Sequence, residues 1–180
     1  MIDAATRDGG GWRELEARLA YELLLQAGQS RCDVVRMGRQ HIRGGMMTMS
    51  RQKTGVPFNV EVMPRLQAAI DAMPASNHLA FLVTAQGRPF TAAGFGNWFR
   101  DRCREAKLPE RCTSHGLRKA AATYLAELGF TDHQLMAWFG WTSISMVKMA
   151  WGPSAASGNG MKVWRSVRQC ATAAMPSAML

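Results

Sequence analysis

Ser114-His115-Gly116-Leu117-Arg118-Lys119, followed by an alanine-rich stretch and then by Gly140-Trp141-Thr142-Ser143, is the part of the chain on which its reading turns. A serine ahead of a periodic apolar run is a helix cap, so Ser114 is expected to cap a helix from Gly116 to Leu128, ended by Gly129. Taken alone, His-x-x-Arg arises by chance in many helices, where it amounts to a capped helix with a solvated arginine. Its weight comes from what stands around it. Upstream lie Gly28-Gln29-Ser30-Arg31-Cys32-Asp33 and Gln52-Lys53-Thr54-Gly55, so that four short boxes span the chain from Trp12 to Trp151.

The intervening sequence supplies mostly helices. Leu15, Leu19, Ala20, Leu23 and Leu24 recur at helical spacing between Trp12 and Ala27, and Gly28 stops the run. A short helix is expected over Arg31 to Met37, with Val34 and Val35 inward. Met47 and Met49, then Phe58, Val60 and Val62, alternate about Lys53-Thr54-Gly55, the pattern of a β-hairpin or small meander. Pro64 opens a helix to Met73, Leu79 to Val83 is a candidate strand, and Thr91 is placed to cap a helix to Lys107. Further helices are expected over Asp132 to Phe139 and Ser143 to Trp151, and in the tail, where Val163, Trp164 and Val167 are amphipathic. Residues 1–11 read as a flexible lead and 12–180 as one domain, an α+β fold that is mostly helical with a small antiparallel sheet.

Composition narrows the function classes. The chain has 180 residues and 22 Lys+Arg against 13 Asp+Glu, a net charge of +9. Such an excess attracts a polyanion, nucleic acid first, although a basic surface without a specific ligand carries it equally well. Cys32, Cys103, Cys112 and Cys170 form no CxxC pair and suit reduced thiols in a cytoplasm. Cys103, Cys112 and His115 match no zinc-site spacing, so no metal is expected. Met46, Met47 and Met49 fit hairpin packing better than a thioether site, and Phe95, Trp98 and Phe99 fit a core cluster better than a base-stacking platform. No apolar run is long enough to span a bilayer, and no membrane partner is expected.

Taken together, the four boxes resemble those of the tyrosine recombinases, the phage-integrase family. The resemblance implies that family's catalytic-domain fold without its N-terminal core-binding domain, double-stranded DNA as partner, and no metal or other cofactor. In the family a tyrosine hydroxyl attacks a DNA phosphodiester to give a 3′-phosphotyrosine and a free 5′-hydroxyl. Guanidinium forks meet the charge that builds on the phosphate oxygens, and a hairpin lysine protonates the departing oxygen. Carried over by position, Lys53 is the hairpin lysine, His115 and Arg118 are the His-x-x-Arg pair, and Trp141 is the His-or-Trp donor. Lys119 and Arg31 join them as DNA contacts, and Asp33 falls where the family has an acidic buttress.

Two positions depart from the family. Ser30 stands at the place of the first arginine, two residues after Gly28 and three before Asp33; Arg31, next door, is turned by about 100° along a helix. Ala150, nine residues beyond Trp141, stands at the place of the nucleophile. The only tyrosines, Tyr21 and Tyr124, lie in apolar helical contexts far from that box. The expectation is a recombinase-derived domain that binds DNA without strand exchange. Its alternatives are an active recombinase with an unusual or partner-supplied nucleophile, and a protein-interaction pseudo-enzyme that docks its C-terminal segment on a neighbouring subunit.

Overall fold

The computed structural model describes residues 10–154, apart from 75, 76, 109 and 111. The expected helix around Val163, Trp164 and Val167, residues 1–9 of the expected flexible lead, and Cys170 lie outside the described residues; the last two residues of that lead, Gly10 and Gly11, belong to the first helix.

The first helix, α1 (Gly10–Gln26), buries Leu19, Ala20, Leu23 and Leu24 completely. Gly28 ends the segment at φ +62°, and a Cβ there would come within 2.7 Å of the Phe139 ring. Conformation and close packing therefore both require glycine at that point. The next helix, α2 (Arg31–Val34), is shorter than the expected run to Met37, but Val34 and Val35 are buried as expected.

A 3₁₀ turn (Arg39–His41) leads into an antiparallel meander of β1 (Ile42–Arg43), β2 (Met46–Ser50) and β3 (Pro57–Glu61) in the order β1-β2-β3. Met47 pairs with Val60 and Met49 with Phe58, so the alternation read from the sequence puts all four side chains on the buried face. Lys53 sits exposed in the turn between β2 and β3.

Helix α3 (Pro64–Asp71) starts on its proline. The stretch Leu79–Val83 is not a ladder strand. Phe81 N–H donates to Met37 O, Val83 makes a single bridge to Pro89, and Leu79 is 76% exposed. Its apolar residues serve packing, with no neighbouring strand to pair. Helix α4 (Ala92–Glu105) is capped by Thr91, whose hydroxyl accepts from Gly94 N at 3.0 Å; Phe95 and Phe99 are buried in the core, with Trp98 packed against them.

Helix α5 (Ser114–Glu127) begins two residues before the expected Gly116. Its cap is Thr113, whose hydroxyl accepts from Gly116 N at 3.0 Å, whereas Ser114 is a buried first-turn residue. Either hydroxyl satisfies the spacing rule to within one residue, and the backbone selects Thr113 by its extended φ −135°, ψ 161°. Helices α6 (Asp132–Phe139) and α7 (Ile144–Ser154) complete the described chain.

The core has two centres. The larger is built from α1, the sheet, α3 and α4 with Leu117 and Ala120 of α5. The smaller joins Ala121 and Ala122 of α5 to Leu135, Phe139 and Val147 of α6 and α7, with Trp141 and Ala150 packed on its edge. Helix α5 contributes to both centres.

Candidate functional site

His115, Arg118 and Lys119 stand at i, i+3 and i+4 of α5 and so share one helical face; His115 and Lys119 are exposed and Arg118 is half-buried. The guanidinium of Arg118 crosses to the neighbouring elements. Its Nη1 donates to Gly28 O at 2.5 Å and its Nη2 to Phe139 O at 2.6 Å. It also lies over the Phe139 ring at 5.4 Å and the Trp141 ring at 5.7 Å, two rings stacked at 4.7 Å. Burial, with the nearby charge of Arg51, pushes its pKa down to about 10, and Asp33 and Cys32 act in the opposite direction.

Arg51 was not singled out by the sequence, yet it is the most heavily bonded side chain of the region. It is 5% exposed. Its Nε donates to Gln29 Oε1 at 3.0 Å, its Nη1 to Pro57 O at 3.0 Å and Val56 O at 3.4 Å, and its Nη2 to Trp138 O at 3.1 Å and Ala137 O at 3.3 Å. Ala137, Trp138 and Phe139 are the last residues of α6, whose carbonyls have no partner inside the helix. Arg51 and Arg118 together therefore cap the C-terminus of α6, where positive charge also favours the helix dipole. Gly140 closes the helix in the left-handed conformation at φ 66°, and a Cβ there would overlap Arg51 Nε. A single arginine in a polar turn gives no periodic signal; the only hint was its place between the end of β2 and the Lys53 turn.

Asp33 is buried, at 3% exposure, not displayed on a helix surface. Its Oδ2 accepts from Ser30 Oγ at 2.6 Å and its Oδ1 from Gln52 N at 2.7 Å, so one carboxylate joins the Ser30 position to the turn carrying Lys53. Asp33→Ala should leave the Gln52 amide without its partner. Hydrogen exchange at Gln52 should then accelerate, with a loss of about 1–3 kcal/mol in stability measured by urea unfolding.

Arg31 takes an unanticipated course. Although one residue out of register, its exposed side chain lies against Gly96 of α4 and its charge still acts on His115. The His115 pKa is lowered from the ordinary imidazole value by burial first, then by Lys119, Arg118 and Arg31. Ala150 is half-buried on α7 at the edge of the smaller core centre. Tyr21 packs against the larger centre and Tyr124 is half-buried on α5, so neither stands on α7. Among the described residues no three His, Cys, Asp or Glu side chains come together in a way that would hold a metal, and no described helix is long and apolar enough to cross a membrane.

The same arrangement of elements occurs in solved structures. XerA recombinase superposes with a TM-score of 0.68 at 15% identity, covering 83% of this chain and 61% of that one. A λ integrase dimer bound to a COC′ core site gives 0.63 at 21% identity, covering 82% and 43%. The λ integrase catalytic core gives 0.59 at 19% identity, covering 77% and 88%. At such identities the likeness establishes the fold, that of the tyrosine recombinase catalytic domain. The chain spans 61% and 43% of the first two proteins, and it has no match among curated protein sequences. The model of the phage integrase family matches residues 4–151, most of the chain, and the chain belongs to the phage integrase family.

Proposed function

We propose that this domain binds double-stranded DNA through Lys53, His115, Arg118, Lys119 and Trp141, with Arg31 beside them, and that it does not cleave the strand it holds. The observation that carries the second half is Ala150. A methyl group on α7, packed at the edge of the smaller core centre, has no lone pair with which to attack phosphorus. Ser30 adds to it, because its hydroxyl is engaged by Asp33 and supplies no charged fork to a phosphate. Support for DNA binding comes from the cationic face of α5, the net charge of +9, and structural neighbours such as the λ integrase on its core site and the Tn1549 transposon integrase in complex with transposon right end DNA.

The roles follow from reach and charge. Lys119 and His115 are exposed donors on one face, and the indole N–H of Trp141 is a neutral donor. Arg118 spends one N–H of each terminal nitrogen on backbone carbonyls, and its five donors leave it capacity for a phosphate. An anion there would offset the burial that lowers its pKa.

Duplex affinity measured by fluorescence anisotropy should fall steeply as salt rises from about 50 to 200 mM, because each phosphate neutralised releases condensed counterions. It should also rise as the pH falls through the bound His115 pKa toward its depressed free value. A phosphate beside His115 favours the imidazolium, so the bound pKa lies above the depressed free value and binding takes up a proton. His115→Gln should remove that pH dependence. Affinity indifferent to salt would exclude phosphate contacts as its basis.

A further inference from the structure

We infer that Arg31 supplies the guanidinium that Ser30 does not, reaching the anion site at His115 and Arg118 from the neighbouring position across the bare Cα of Gly96. This rests on the duplex-binding reading above and names the residue that completes its phosphate site.

Three observations support it. The first is a seat shaped for the side chain. A Cβ on Gly96 would lie 2.9 Å from Arg31 Nη1, 3.7 Å from its Cδ and 3.8 Å from its Cζ, so the outer half of Arg31 runs over a buried position of α4 that has no side chain. Glycine inside a helix is less favourable than alanine, and Gly96 is buried in the middle of α4, so the local preference of the helix is given up where Arg31 passes. The second is where the charge arrives. Three cations act on His115, and whereas Lys119 and Arg118 share its helix, Arg31 comes from α2. The third is availability. Arg31 is exposed, and among the described residues no carboxylate lies within ion-pair distance of it, unlike Arg36, Arg65, Arg102 and Arg104. A planar fork with no carboxylate to hold it, whose charge reaches the imidazole of His115, is suited to paired bonds with one phosphate.

The test uses the whole chain and a labelled duplex. Arg31→Ala should weaken binding about tenfold and reduce the salt slope by about one. Gly96→Ala leaves every charge in place but moves the guanidinium, since the added methyl meets only the far end of a flexible side chain. It should weaken binding in the same direction while the Tm stays level or rises. In the Arg31→Ala background Gly96→Ala should add no further loss, because the side chain it displaces is gone. By NMR, the His115 pKa should rise in Arg31→Ala, with Lys119 and Arg118 still acting on it. If the parent binds duplex and Arg31→Ala binds equally well, or Gly96→Ala costs as much with Arg31 absent as with it present, the assignment is wrong while the DNA reading stands. A parent that binds no duplex overturns both.

Discussion

Replacing Arg51 by methionine should cost the fold about 3–5 kcal/mol and lower its Tm by about 10 °C, a larger loss than any other single change in the region. Methionine fills much of the same volume but leaves Pro57 O, Ala137 O and Gln29 Oε1 without the donors they have now. Each unsatisfied buried acceptor costs about 1–3 kcal/mol. Relief from burying a charge offsets part of this, since burial already lowers the Arg51 pKa and only Asp33 acts to raise it. Arg51→Lys should recover only a fraction, because an ammonium cannot span the hairpin, Gln29 and the end of α6 with one planar group. Thermal melts followed by circular dichroism decide the matter, and a methionine variant melting within about 2 °C of the parent would show that α6 needs no such cap.

The second large effect is a gain. Ser30→Arg combined with Ala150→Tyr should take the protein from no covalent DNA adduct to a detectable one. Ala150 is half-buried at the edge of the smaller core centre, to which Phe139 and Trp141 also belong, so a phenol at that position replaces no fully buried side chain. The arginine at position 30 would replace the hydroxyl that Asp33 Oδ2 now accepts from, freeing that carboxylate oxygen to face the new guanidinium while Asp33 Oδ1 still holds the Gln52 amide. Ala150→Tyr alone should give less adduct than the pair, because charge building on the phosphate would then be met by fewer guanidinium groups, a deficit worth roughly a few kcal/mol of barrier. If Arg31 supplies the missing charge, that single variant should nevertheless exceed the Arg31→Ala, Ala150→Tyr combination. Adduct from Ser30→Arg alone would point to a nucleophile other than the one introduced.

Much of this was legible before the structure. Periodicity gave α1 and the Met47/Met49 against Phe58/Val60 hairpin, because each buries one stripe or one face and a stripe is what a sequence displays, while the start signals Pro64 and Thr91 gave α3 and α4. The four boxes gave the family. What failed was local or non-periodic. Thr113 and Ser114 are chemically alike, and only the backbone distinguishes the cap from the residue after it. Leu79–Val83 carries apolar side chains without a strand partner, and a partner is not written in the segment itself. Arg51 bonds to residues 22, 86 and 87 positions away, and no pattern along the chain announces a donor whose acceptors are one distant side-chain amide and several backbone carbonyls. The turn of a helix gives the direction of the Arg31 Cα but not the place of its outer atoms, which lie over Gly96.

The most direct measurement of the central claim pairs two gels on one sample of the parent protein with a labelled, nicked duplex. In the native gel the DNA should shift, and more at low salt; after denaturation no labelled band should remain attached to protein. A DNA-linked protein band from the unaltered chain would contradict the account, since it would require a nucleophile where Ala150 offers only a methyl group.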